Sequence, residues 1–396
     1  MPLADADRRL VDACRTRAIE LLHRNDTPAG LLAATPGAAA RARHYDSVFA
    51  RDAAICALGM AASGVRSLQR RAARGLLSLA ARQAPNGQLP NYVSAGRAEA
   101  DFWYLGCVDA SLWWLLAVDY LDVSAHPGLR ERLQVRIARA VNWLRAQEHP
   151  HLHLIVQPEA ADWADIMPRA GVVAYTNALW YRVKRRYRVA GGAHTRTRFA
   201  ALLDPGGAPE PDDRRMRLLR EAVPIDARGG DLYLSYLNLA SCGIEGDVLG
   251  NVLAVLCGVS DAARSRRILA ALCAAGVHRP YPVRVVVAPI TRADERWRPY
   301  MLRHRQNLPW QYHNGGIWPF AGAFWILAVA RLHGRAAAAA ELVKLARANR
   351  LGQWRFSEWL HGTSGRTRGM AAQSWNAAGF LLAHAAVMND EFRSPF

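Results

Sequence analysis

The sequence predicts an all-α protein: an (α/α)6 barrel, or six-hairpin toroid, in which six outer helices enclose six inner ones. Three observations lead there. Apolar residues recur with helical spacing along almost the whole chain, and strand-like runs are few. The connections between periodic segments are short, as helical hairpins require. The segments also alternate in kind, some with one charged face and others apolar all round.

In chain order the periodicity predicts helices at 7–24, 47–64, 66–83, 100–121, 127–147, 173–190, 209–221, 246–257, 260–275, 314–332, 335–349 and 371–390. Those at 66–83, 127–147, 260–275 and 335–349 carry many Arg, Glu or Lys and read as outer helices. Those at 47–64, 100–121, 173–190, 246–257, 314–332 and 371–390 read as inner helices, enclosed on both sides. Gly64 and Gly334 stand where helix-ending glycines are expected. Leu152–Gln157, Leu232–Leu237 and Val283–Ala288 are the strand-like runs. A helical solenoid would show the same alternation. Pro205–Asp213 is the most linker-like stretch and is short, so one domain spanning 1–396 is expected.

Composition narrows the class. Of 396 residues, 51% are hydrophobic and 21% charged, which suits a large buried core. No apolar run approaches the roughly 20 residues of a membrane span. Met1 to Arg24 is dotted with charge and has no apolar signal core, so the cytoplasm is the expected compartment. Cys14, Cys56, Cys107, Cys242, Cys257 and Cys273 form no C-x-x-C pair and read as buried thiols. There are 13 Trp against 9 Phe, a first hint of a ring-shaped ligand such as a carbohydrate. The net charge is +18, with basic runs at Arg182–Arg188 and Arg264–Arg267. Arg exceeds Lys and Ala is abundant, so a generic basic surface from coding composition is the main reading. An anionic substrate or a nucleic-acid partner shares the rest.

The out-of-place polar residues fall just before the inner helices. They include Tyr45, Arg51 and Asp52; Asn91, Asp101 and Trp103; Asp162, Trp163, Asp165 and Arg169; His313 and Asn314; and Glu358, Gln373 and Trp375. In a closed ring these segments share one mouth, a natural place for a site. Asp165 and Glu358 stand out, because each sits beside Trp. Aromatic surroundings raise a carboxyl pKa by desolvation, as a general acid needs. Glycoside hydrolysis uses such a pair. Structural readings compete: a helix cap or an Arg169 ion pair for Asp165, and an Arg355 partner for Glu358. Asp162 is the rival acid. Asp52 is expected to pair with Arg51 or with sugar hydroxyls, and Asp101 with Trp103 to form a sugar-binding edge. Trp113 and Trp114, deep in a helix, read as core.

These segments resemble the clan of (α/α)6-barrel glycosidases that includes neutral/alkaline invertases, the glucosidase part of glycogen-debranching enzymes, trehalase and the glucosidase-I relatives. The resemblance runs from about Tyr45 to His384. YHNGGIWP at 312–319 and E-W-L-H-G-x-x-G-R-x-x-G-x-x-x-Q-S-W-N-A-A-G at 358–379 look most like neutral invertases and debranching-type glucosidases. DWADIMPRAG at 162–171 resembles the segment that bears the acid. The resemblance implies Glu358 as general base, Asp165 as acid, inversion of configuration, Gln373 and Trp375 in the same pocket, and no metal or cofactor. Two departures matter. The chain is shorter than typical invertases, and Asn177 lies where they have a Glu-containing stretch that contacts sugar. A small α-glucoside, an oligosaccharide branch stub or an anionic glucoside is therefore open beside sucrose.

The expected partner is a small carbohydrate, with no membrane. Tyr45, Arg51, Asp52, Asn91, Asp101, Asp162, Arg169, Asn177, Asn314, Gln373 and Trp375 are expected to bind it. Trp103 or Trp163 would stack on the ring, and His313 would help place the water. The carboxyl groups of an inverting pair stand about 6.5–9.5 Å apart. Epimerisation through His44, His313 and His361, and phosphorolysis, are the competing enzyme readings. A basic solenoid binding nucleic acid or protein is the non-enzyme one, and it leaves YHNGGIWP without a purpose.

Overall fold

The computed structural model describes residues 3–94, 96, 99–102, 107–209 and 213–396. The expectation for Trp103 lies outside the described residues. The helices are α1 (Asp5–Arg24), α2 (Ala38–Ala42), α3 (Ala50–Ala62), α4 (Arg66–Ala81), α5 (Val108–Ser124), α6 (Leu129–Arg132), α7 (Gln134–Gln147), α8 (Ala174–Tyr187), α9 (Gly192–Leu203), α10 (Arg214–Arg220), α11 (Val248–Cys257), α12 (Ala262–Ala274), α13 (Pro319–Trp354) and α14 (Ser374–Met388). Short strands join them: β1 (Asp26–Thr27), β2 (Gly30–Leu31), β3 (Ser47–Phe49), β4 (Tyr92–Ser94), β5 (Ala100–Asp101), β6 (Glu148–His149), β7 (Leu154–Gln157), β8 (Gly171–Val173), β9 (Tyr236–Leu237), β10 (Trp359–Leu360) and β11 (Thr367–Arg368). They pair in the orders β1-β2, β3-β4-β5, β6-β7-β8-β9 and β10-β11, all antiparallel. The protein is helix-rich, and no described helix is long and apolar enough to cross a membrane.

Two compact units divide the chain. The first comprises Met1–Trp143, His278–Val283 and Ile317–Pro395. Within it, α13, α14, α3 and α5 lie side by side, in that order. Their sequences explain it: α5 and α14 are buried on nearly every face, whereas α4 has one apolar stripe through Leu68, Ala72, Leu76 and Leu79. Gly59 of α3 meets the Ala378 carbonyl of α14 so closely that any side chain there would overlap it. Gly334, at φ 83°, divides α13 into an apolar first half and a charged second half. Trp325 of the first half donates to Glu341 of the second at 3.1 Å. Trp113 and Trp114 are core, and Trp114 donates to the Leu76 carbonyl at 3.0 Å.

The second unit comprises Leu144–Val277 and Arg284–Gly316, with Phe396. Here α8 packs on α11 and α9, and α12 backs α11. The sheet β6-β7-β8-β9 runs beside α8.

The element boundaries differ from expectation where local chemistry overrides periodicity. Helix α9 was not expected, because GAHTRTRFAALL buries only Thr195, Phe199, Leu202 and Leu203 and shows a weak stripe. It packs on α8, and the helix expected over 209–221 is the shorter α10, Arg214–Arg220. The helix expected over 100–121 begins at Val108, since Ala100 and Asp101 pair with β4 as β5. That expected over 314–332 begins at Pro319, whose fixed φ suits a first helical position. Val283–Ala288 forms no strand and makes an isolated bridge, Asp247 to Val286.

Candidate active site

In the first unit Glu358 is the organising residue. It leads into the β10–β11 hairpin, and its N–H donates to the Met370 carbonyl at 2.7 Å. The Met370 N–H returns a bond to Glu358 Oε2 at 2.8 Å. The Tyr45 hydroxyl donates to Glu358 Oε1 at 2.5 Å. Only 1% of Glu358 is exposed. Burial pushes its carboxyl above the usual range, while the Tyr45 and Met370 hydrogen bonds and the Arg43 charge pull it back. Gly369, at φ 65°, leaves room for this arrangement, because a methyl group there would overlap Glu358 Oε2.

Around the same hairpin lie buried polar atoms with no hydrogen-bond partner among the described residues. They are the side-chain amide of Gln373, the indole N–H of Trp375 and the hydroxyl of Ser357. Leaving such groups unmet costs about 1–3 kcal/mol each, so their concentration here marks a place suited to a polar ligand. Trp375 is held by stacking on Phe320 at 4.0 Å between ring centroids.

Arg51 and Asp52 open α3. Arg51 pairs mainly with Asp109 of α5, Nε to Oδ2 at 2.7 Å, and stands 3.8 Å from Asp52. The expected Arg51–Asp52 pair is therefore the weaker contact. Asp109, a buried acid in an apolar helix, was missed; its unmet charge was the available signal. Burial pushes Asp52 up to about 7, with Arg51 opposing and Asp109 and Glu358 adding to the rise. Asn91 accepts from the Cys107 thiol at 3.3 Å. Asp101 faces Tyr92 across the β4–β5 pair and accepts its hydroxyl. Tyr92 and Asp101 line a polar cleft of about 890 Å³ with Arg41, His44 and Asp46.

The second unit gathers Asp165, His313, Trp163 and Tyr312. Asp165 Oδ1 lies 3.5 Å from His313 Nδ1; the carboxylate side chain is 36% exposed and the imidazole 2%. The His313 ring packs edge-on to Trp163 at 4.9 Å and against Tyr312 at 4.0 Å. Asp162, the rival acid, is committed to the backbone turn. It accepts from the Ala164 N–H at 2.8 Å and from Gln157 Nε2 at 3.0 Å. Arg169 is buried against Asp247 at 3.1 Å, and burial lifts the Asp247 carboxyl to about 6 against the pull of Arg169. Both residues thus anchor the Asp165 loop from its two ends.

Two asparagines are likewise bonded to the main chain. Asn177 is fully buried; its Nδ2 donates to the Ile155 and Val173 carbonyls, each at 3.0 Å, and its Oδ1 accepts the Ile155 N–H at 2.8 Å. It staples β7 to α8 and has no donor left for a ligand. Asn314 does likewise for Ile290, with bonds to its N–H and its carbonyl, both at 2.8 Å. Among the described residues no group of three or more His, Cys, Asp or Glu side chains is placed to hold a metal ion.

Residues 225–390 match the family model of alkaline and neutral invertases. The chain is 29% identical to alkaline/neutral invertase E, chloroplastic, of Arabidopsis thaliana over 166 residues, which is 41% of this chain and 26% of that protein. It is 40% identical to probable alkaline/neutral invertase F of the same plant over 82 residues, 20% of this chain and 16% of that protein. The matched stretch thus spans about a quarter of the length of invertase E. Among solved structures, the GH63 mannosylglycerate hydrolase of Thermus thermophilus, in complex with Tris and D-glycerate, aligns over 93% of this chain and 99% of its own. Its TM-score is 0.64 at 18% identity. A wild-type glycosidase aligns over 98% and 99% with TM-score 0.60 at 16% identity. The region holding Glu358 is therefore invertase-like in sequence, and the chain as a whole has a glycosidase fold.

Proposed function

We propose that the chain is an inverting glycoside hydrolase that cleaves a glucosidic bond in a small sugar or oligosaccharide, sucrose or another α-glucoside. In this reading residues 1–396 are a single (α/α)6-barrel catalytic domain. The observation that carries the reading is Glu358. It is a buried carboxylate oriented by two donors, in a stretch similar to invertases and beside unmet polar atoms. Asp165 is the general acid. Of Asp162 and Asp165 it is the one with solvent access, whereas Asp162 is spent on the turn.

In the reaction Asp165 gives its proton to the glycosidic oxygen as the bond to the anomeric carbon breaks. Glu358 takes a proton from a water whose oxygen forms the new bond from the opposite face. The products are the free alcohol and the sugar of inverted configuration. Gln373, Trp375, Asp52, Asn91 and Asp101 are left to hold sugar hydroxyls. Arg51, paired with Asp109, orients this group.

A second substrate reading is a glycoside with an anionic aglycone. Arg43 bears on the Glu358 carboxyl, and the chain shares its fold with a mannosylglycerate hydrolase in complex with D-glycerate. The test is a substrate panel of sucrose, trehalose, maltose, isomaltose, glucosylglycerate and mannosylglycerate, with the released anomer read by proton NMR. Inverted product that disappears in Glu358→Gln supports the proposal. Retained configuration, or near-full activity in Glu358→Gln, refutes it. Release from the glycerates but not from sucrose selects the second substrate.

A further inference from the structure

We infer that Asn307 is a positioning residue that sets the Asp165–His313 geometry by tying together the two loops that carry them. The inference rests on the reading of Asp165 as general acid. Asn307 is fully buried, two residues after the 3-10 turn Pro299–Arg305. Its Nδ2 donates to the carbonyl of Ile166, the residue after Asp165, at 2.7 Å. Its Oδ1 accepts the N–H of Asn314, the residue after His313, at 2.9 Å. One side chain therefore spans from one residue past the acid to one residue past the imidazole. The bond from Asn314 Nδ2 to the Asn307 carbonyl at 3.2 Å holds the histidine loop to the same residue.

The Asp165 loop has no regular secondary structure between 158 and 170. Its own ties are local: Asp162 accepts the Ala164 N–H, the Met167 N–H bonds the Ala164 carbonyl across Asp165, and Arg169 closes the far end on Asp247. Asn307 adds a fixed point one residue away. That point matters because the Asp165–His313 separation of 3.5 Å is at the outer limit of a hydrogen bond, where a small shift makes or breaks the contact. A misplacement of about 1 Å in a reacting group costs about 100-fold in rate. The amide is suited to the task, since it supplies one donor and one acceptor on opposite sides of a short stem. Asp would turn the donor into a second acceptor facing the Ile166 carbonyl.

The experiment compares Asn307→Ala and Asn307→Asp with Thr195→Val. Thr195 is a buried residue of the same unit, in α9, that donates to the His153 and Gly191 carbonyls and touches neither loop. The readouts are thermal unfolding, kcat and KM, and the His313 ring signals in histidine-labelled NMR spectra. Those signals are displaced by the Trp163 and Tyr312 rings. Both Asn307 variants are expected to lose about 100-fold in kcat with KM nearly unchanged, and to shift the His313 signals. Thr195→Val is expected to lower the unfolding temperature and leave kcat and His313 in place. A folded Asn307 variant with native kcat, or with unmoved His313 signals, overturns the inference. Asn307→Asp serves where Asn307→Ala does not fold. If Asp165→Asn keeps full activity, the acid reading fails. The His313 signals still report, independently of that outcome, whether Asn307 holds the pair.

Discussion

Tyr45→Phe isolates the chemistry of Glu358. The substitution removes one hydroxyl and keeps the ring that packs near Phe49, with centroids 6.1 Å apart. The lost bond is a short donor contact to a carboxylate, and such bonds are worth about 1.5–3 kcal/mol. Its removal therefore raises the Glu358 pKa further. The direction follows from the chemistry: the hydroxyl favours the charged form against the desolvation that disfavours it. A general base works only when deprotonated, so the acidic limb of kcat/KM against pH moves to higher pH by the same amount. Stability responds in the same sense. Glu358 is raised above its unfolded value, so the stability it contributes is present at low pH and lost as pH rises through the folded pKa. Tyr45→Phe extends that loss to higher pH. The assay is the pH profile of hydrolysis for native protein and variant, with Asp52→Asn alongside because Asp52 also titrates at about 7. An acidic limb that stays put in Tyr45→Phe, or falls, refutes the reasoning. A limb that moves only in Asp52→Asn belongs to Asp52.

Three further outcomes are expected. Gly369→Ala forces a methyl group against Glu358 Oε2 at a left-handed backbone position; it should reduce kcat by about 100-fold and stability by about 1–2 kcal/mol, measured by turnover and urea unfolding. Asp52 is raised from 3.8 to about 7, so its protonated form stabilises the fold at low pH and that contribution fades between those values. Asp52→Asn should therefore gain on native protein by up to about 4 kcal/mol from pH 4 to pH 7, read from denaturant midpoints, and a flat difference would contradict it. Arg169→Met strands Asp247 in the core and should cost about 3–5 kcal/mol, with more than half recovered in Arg169→Met/Asp247→Asn.

How much the sequence reveals depends on the range of the interaction. Helices α3, α11, α12 and α14 were legible because each is a self-contained periodic run. Helix α9 was not, because its buried stripe is short and includes a polar residue: Thr195, then Phe199, Leu202 and Leu203, with Phe199 meeting Tyr233 edge-on. Glu358 was legible from its aromatic neighbours and from the motif around it. The proton donor that orients it lies 313 residues earlier in the chain, and no local pattern announces that pairing. The bonds of Asn177 and Asn314 were hidden for a related reason. An asparagine beside aromatics before an inner helix suits a sugar contact and a backbone staple equally well, and only the partners at Ile155 and Ile290 decide. Asp247 and Asn307 carried no signal of their own, since what they do is join segments distant in sequence.

The double clamp between Glu358 and Met370 has an evolutionary consequence. Each residue holds the other, once through the main chain and once through the carboxylate. Beyond β10 the turn 361–366 closes on itself, His361 to Arg366 and Gly365 to His361, and exposes Thr363, Ser364 and Arg366. Changes in that turn end at the clamp and leave the Glu358 carboxylate where it is. Descendants of this sequence are free to remodel the turn, in length or in charge, while the carboxylate stays held.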